Sequence, residues 1–175
     1  MPEKQSSYVK KMVYAALFAA LTGVGGWIAL PLPYVSVTFQ TLFTIISGAV
    51  LGPYFGALSM IVYILLGIVG LPVFSRGQSG LGVLFGPTGG YLIGFVLSAI
   101  VIGLIVRSKK SPGYLWMCFA MAVGIIILDV CGVAQLALIT GMPLEKAAVV
   151  GALVFVPTDI VKVLIGAYIA KRIRL

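Results

Sequence analysis

The chain has 175 residues, of which 61% are hydrophobic and only 9% charged, and it contains no histidine. A soluble domain carries roughly a quarter of its residues as Asp, Glu, Lys and Arg, so this composition excludes a water-facing fold, in keeping with a mean hydropathy of +1.19. The formal net charge is +8, from 12 basic and 4 acidic residues, and the missing histidine removes the commonest metal ligand and the usual proton shuttle near neutral pH.

A bilayer's hydrocarbon core, about 30 Å thick, takes roughly 20 apolar residues of helix to cross. Continuous apolar runs, without period-two alternation, predict helices and not a β-barrel. They divide into six spans at about 11–30, 38–52, 54–70, 88–106, 114–139 and 147–170. The first span follows Lys4, Lys10 and Lys11 and carries small residues at Ala15, Ala16, Ala19 and Ala20. Its apolar run exceeds the roughly 7–15 residues of a secretory signal, so it is expected to stay uncleaved. The connector Pro31-Leu-Pro-Tyr-Val-Ser-Val-Thr-Phe-Gln40 brings aromatic and hydrogen-bonding side chains to the outer membrane face. The second span is the shortest and stops at Pro53. Gly48, Gly52 and Gly56 recur every four residues, as do Gly82, Gly86, Gly90 and Gly94. Where the backbone is helical, that spacing lets a neighbouring helix or a ligand approach closely.

The segment from Gly70 to Gly90 is long for a connector between membrane helices and rich in glycine, yet apolar at Val73, Phe74, Leu81, Val83, Leu84 and Phe85. A merely solvated loop would be polar, so this one is predicted to fold back as a lid over a pocket. It is not a phosphate cradle, because no Gly-Lys-Ser/Thr follows its glycines and no strand precedes them. After the fourth span comes the polar loop with Arg107, Lys109 and Lys110. The fifth carries Cys118 and Cys131, which cannot pair with each other along one straight helix. Lys171, Arg172 and Arg174 follow the sixth span. Six crossings put all three basic clusters on one side, which the positive-inside rule makes cytoplasmic, together with both termini. Nine of the 12 basic residues obey it; Arg76 and Lys146 fall in outer loops, and Lys162 lies inside the sixth span.

Asp129, Asp159 and Lys162 are the ionisable residues within predicted spans. Each is costly to bury in lipid, so they are expected to face the bundle interior and to bind a ligand or one another. Asp159 and Lys162, three residues apart on one helix, share a face. Asp129 sits on the fifth span and either joins them or braces a neighbour. A membrane hydrolase would need a nucleophile with a base, or a metal cluster, and neither pattern is visible. Nor is there a Walker motif for an ATP-driven pump. Binding, passive passage, or transport energised by another subunit remains.

The run Val83-Leu-Phe-Gly-Pro-Thr-Gly-Gly-Tyr-Leu-Ile-Gly-Phe95 resembles the signature of the BioY family, the biotin-specific substrate-binding (S) components of energy-coupling factor (ECF) vitamin transporters. Val37-Thr-Phe-Gln-Thr-Leu42, Leu71-Pro-Val-Phe74 and Val156-Pro-Thr-Asp-Ile-Val-Lys162 extend the likeness over essentially the whole chain. The resemblance implies an all-α integral membrane bundle of six helices in one domain, with a vitamin pocket closed by outer loops. It also implies docking through small residues of the first helix, here Ala15, Ala16, Ala19 and Ala20, onto a transmembrane coupling protein that carries two cytoplasmic ATPases. The membrane would be a prokaryotic plasma membrane. No cofactor is implied; biotin is the transported ligand.

Biotin joins a bicyclic urea, with two N–H donors and a carbonyl acceptor, to a tail ending in a carboxylate. Asp159 can accept from the urea N–H groups, and Lys162 can donate to the urea oxygen or balance Asp159; such desolvated pairs reject analogues that lack the group. Gln40 can hydrogen-bond either end, and Tyr91 offers a ring face and a hydroxyl. Arg76 is the candidate for the tail carboxylate, unless it is only an exposed interfacial charge, and it could exchange roles with Lys162. Phe39, Phe74 and Phe85 are candidate apolar walls. Two other transport readings stay open: a solitary or homo-oligomeric biotin importer working without ATP, and an S component for another vitamin. A small channel or a membrane enzyme is the reading from a different class, disfavoured by the missing catalytic groups.

Overall fold

The computed structural model describes residues 2–32 and 34–173, with side chains from residue 8 onward. Of the basic residues used above, Arg174 and the side chain of Lys4 lie outside that description. The chain forms α1 (Pro2–Trp27), a two-stranded ribbon of β1 (Ala29–Leu30) and β2 (Val37–Thr38), α2 (Gln40–Ile68), the short α3 (Leu81–Leu84), α4 (Gly89–Arg107), α5 (Tyr114–Thr140), α6 (Leu144–Gly151) and α7 (Val156–Arg172). The first span, expected to run to residue 30, ends as helix at Trp27, and the chain after it closes on itself with Ala29 opposite Thr38 and Leu30 opposite Val37. That pairing satisfies backbone groups that would otherwise face a poorly hydrated environment.

Four stretches are long and apolar enough to cross a membrane: α2, α4, α5, and Leu144–Arg172 taken through α6 and α7. The six-helix bundle emerges because α1 also runs its length and α2 is itself a hairpin. Gly52 interrupts α2 with φ +80° and ψ −176°, a region open essentially to glycine alone, and Pro53 follows with no amide to donate. Beyond this corner the chain turns back. Thr44 Oγ1 meets Met60 Sδ at 3.2 Å, and the Gln40 amide donates to the Tyr63 hydroxyl, so residue numbers across the hairpin sum to a near-constant value. Gly48 and Gly56, on the two spans that the sequence separates at Pro53, therefore face each other across the corner. The Arg107 guanidinium donates to the Leu51 carbonyl at 3.0 Å, a cation at the exposed carbonyl end of a helical segment.

Gly48 packs on Ala99 and Gly103 on the Gly52–Pro53 peptide, setting the descending half of α2 parallel to α4. Gly90 and Gly94 pack α4 on Cys131 and Leu128 of α5, which runs antiparallel to it. Gly141, left-handed at φ +68°, ends α5 and donates to the Ala137 carbonyl, as a glycine just past a helix does. The last span is not continuous. Ala152 leaves helical geometry, a single 3-10 turn covers Leu153–Phe155, and α7 starts afresh at Val156 with Pro157 in its first turn. Proline is tolerated there because first-turn amides have no partner within the helix.

Two apolar cores stack along the bundle. The inner one gathers Phe18, Ile45, Leu51, Ile102, Met117 and Met121. The outer one, around Tyr63, Phe74, Tyr91, Phe95 and Phe155, surrounds the candidate site. On α1, Ala15 and Ala19 are each 2% exposed and belong to these cores. The four alanines expected to form one docking surface thus divide. Ala15 and Ala19 pack inside the bundle, while Ala16 and Ala20 face outward.

Candidate functional site

A cleft opens among the ribbon, the start of α2, the lid segment and helices α4, α5 and α7, with about 620 Å³ of space between atoms, part of it continuous with the outside. Its polar groups converge from separate elements. The break before α7 brings Asp159 into that helix's first turn, where a negative charge complements the helix dipole. One turn on, Lys162 Nζ lies 2.9 Å from Asp159 Oδ1. Both side chains are about nine-tenths buried, and this is the only ion pair among the described residues. Asp129 of α5 borders the same cleft. It makes no hydrogen bond among the described residues, so two carboxylates face a single ammonium group.

Of the sequence-predicted residues, Asp159, Lys162, Gln40 and Tyr91 all line this cleft. Two of them are already engaged. The Gln40 amide donates to Tyr63 and, at 3.3 Å, to the Val73 carbonyl, while its oxygen accepts from Thr38 Oγ1 at 3.1 Å. Gln40 thereby ties the ribbon, both halves of α2 and the lid together. The Tyr91 hydroxyl donates to the Gly151 carbonyl of α6 and leaves its ring toward the cleft. Arg76 stands apart. It lies in a polar vestibule above the cleft that shares Ser36, Ser75, Val83 and Thr88 with it. Its φ of +60° is the one left-handed non-glycine residue among those described, a strained conformation of the kind found at functional sites.

Phe74 is a cleft wall, packed edge-on against Tyr63 with ring centroids 5.6 Å apart. Phe39 instead borders an almost wholly apolar side groove, which touches the cleft at Val37, Thr38 and Lys162. Phe85 is 72% exposed on the lid and lines neither space. Tyr63, Phe155 and Ser75 were not singled out from the sequence. Tyr63 and Phe155 resemble any other aromatic of an apolar run, and a serine in a glycine-rich loop carries no distinguishing pattern. The Ser75 hydroxyl is buried at the throat between cleft and vestibule without a partner among the described residues.

The lid lies where the sequence predicts it. Trp27 Nε1 donates to the Pro72 carbonyl at 2.9 Å from one side. From the other, the Gln135 amide of α5 donates to the Leu84 and Gly86 carbonyls, each at 2.8 Å. Chemically, the cleft offers a desolvated carboxylate–ammonium pair, a second carboxylate, aromatic walls and a cationic rim. That suits a small ligand with a polar head, an apolar body and an anionic group.

The chain is similar over its whole length, residues 1–175, to the model of the BioY family. A protein of Thermotoga maritima described as biotin transporter BioY is 40% identical over 166 residues, covering 95% of this chain and 96% of that one. A probable biotin transporter BioY of Pyrococcus horikoshii is 36% identical over 165 residues, covering 94% and 96%. Among solved structures, the S-component for biotin from an ECF-type ABC transporter superposes with a TM-score of 0.89 at 27% identity, over 95% of this chain and 92% of that one. Matched by the family model from its first residue to its last, the chain belongs to the BioY family.

Proposed function

We propose that this chain is the biotin-binding S component of an ECF-type transporter, a carrier and not an enzyme, and that it holds biotin in the cleft between the lid and α7. The observation that carries the reading is the buried Asp159–Lys162 pair at 2.9 Å, open to a cleft inside the membrane, in a member of a family whose named relatives transport biotin. Asp159 and Asp129 offer acceptors for the two urea N–H groups, and Lys162 a donor for the urea oxygen. Tyr91, Phe74 and Phe155 flank the bicycle and the aliphatic tail, with Gln40 fixing the wall behind them. The carboxylate points to the vestibule, where Arg76 and the free Ser75 hydroxyl can receive it.

The same reading places the chain in a prokaryotic plasma membrane with its basic ends and the 108–113 loop inside, as the charge distribution favours. The outward face of α1, with Ala16 and Ala20 on it, is the surface offered to a coupling membrane protein that carries two ATPase subunits. Small side chains there let a partner helix approach closely. Calorimetry on the detergent-purified protein tests the ligand: saturable heat at micromolar biotin is expected, with a raised unfolding temperature in its presence. No heat and no protection against unfolding would overturn the assignment.

A further inference from the structure

Gln135 is a primary amide on the outer part of a membrane helix, two turns beyond Asp129, and it lines neither the cleft nor the vestibule. Both of its N–H donors are spent on one target, the lid carbonyls of Leu84 and Gly86 at 2.8 Å each. Val83 and Thr88, on either side of those carbonyls, form the rim of the cleft. The Gly89-Gly90 pair of the family-like signature is explained by the same contact. A Cβ at Gly89 would run into the Leu84 carbonyl and the Gln135 amide, and one at Gly90 into the Cys131 carbonyl and Gln135 Cβ. Only glycines let the start of α4 press close enough to α5 for one amide to span both lid carbonyls.

We propose that Gln135 is the latch of the lid: a positioning residue that never touches the ligand but sets how often the lid opens. Donor and acceptors all belong to the chain, so the two bonds oppose opening equally for a ligand arriving and a ligand leaving. Removing them changes both rates together and leaves the equilibrium constant nearly alone. A residue contacting the ligand would instead change mainly departure, and a merely structural residue would lower the fraction of protein able to bind. The proposal rests on the function given above only for its choice of ligand.

The test compares the full-length protein in detergent with Gln135→Glu, whose carboxylate turns acceptors toward the two carbonyls, and Gln135→Met, of similar size without donors. Rapid-mixing association and isotope-exchange dissociation of tritiated biotin are measured, along with hydrogen exchange of the 81–88 amides without ligand. Losing two neutral hydrogen bonds is expected to speed association and dissociation each by about tenfold, with Kd changing by about twofold or less. The 81–88 amides should exchange faster by a similar factor. Faster dissociation with unchanged association, or unchanged exchange in the lid, would overturn the latch. If Gln135→Glu does not fold, Gln135→Met decides. Should the unaltered protein bind no biotin, the function falls, while hydrogen exchange still decides the latch.

Discussion

Asp159 and Lys162 can serve stability, binding, or both, and the two uses separate by substitution. Removing one member of a buried pair leaves an uncompensated charge in a dry environment, at a cost of about 3–5 kcal/mol, whereas replacing both by apolar groups of similar volume is often close to neutral. Asp159→Ala and Lys162→Ala are therefore each expected to lower the unfolding temperature in detergent and to abolish biotin binding. The double variant Asp159→Leu/Lys162→Met should recover most of the stability and none of the binding. Recovery of binding by the double variant would show the pair to be structural only. These two residues were legible in the sequence because membrane burial makes any charge conspicuous. Gln135 was not, since an amide in an apolar helix raises no such flag until its carbonyl partners are known. Gln40 was legible as a polar residue at the outer end, but its bonds to Tyr63 and Val73 depend on a hairpin register that local sequence does not encode.

The hairpin of α2 depends on one glycine. With φ +80° and ψ −176° at Gly52, any Cβ forces the backbone out of a region it cannot share and overlaps the Arg107 guanidinium besides. Gly52→Ala is expected to destabilise the protein by about 1–3 kcal/mol, read as a lowered unfolding temperature in detergent. Gly82→Ala, at ordinary φ with open space around the added carbon, should be neutral. Equal effects of the two would remove the corner's special status. Pro53 and a short apolar run made this corner readable from the sequence. The break at residues 152–155 was not readable, because Ala152, Leu153 and Val154 all fit a continuous apolar helix. The facing of α1 escaped for a related reason. In lipid, both sides of a helix are apolar, so hydrophobic periodicity does not tell Ala15 and Ala19, which are buried, from Ala16 and Ala20, which are not.

For the molecule as a whole, orientation is set by charge, and an impermeant thiol reagent reads it directly. A cysteine at Ser111, exposed in the inner loop, should label only from the cytoplasmic side, and one at Ser79, exposed on the lid, only from outside. The reverse pattern would invert the proposed topology. The stacking of the two cores has a further consequence. Tyr91 stands at the level of the cleft, and from there α4 runs about 24 Å to Arg107, alongside the filled inner core of Phe18, Ile45, Leu51 and Ile102. In the orientation proposed above, with biotin in the cleft, almost the whole membrane voltage falls below the ligand and little of it above. A biotin anion would then reach the cleft nearly free of electrical work, but its inward passage through an inside-negative membrane is opposed by about 2.3 kcal/mol per charge for every 100 mV. In that orientation the cleft is, electrically, still outside the cell, and the step that moves its contents inward must do almost all of the work against the field.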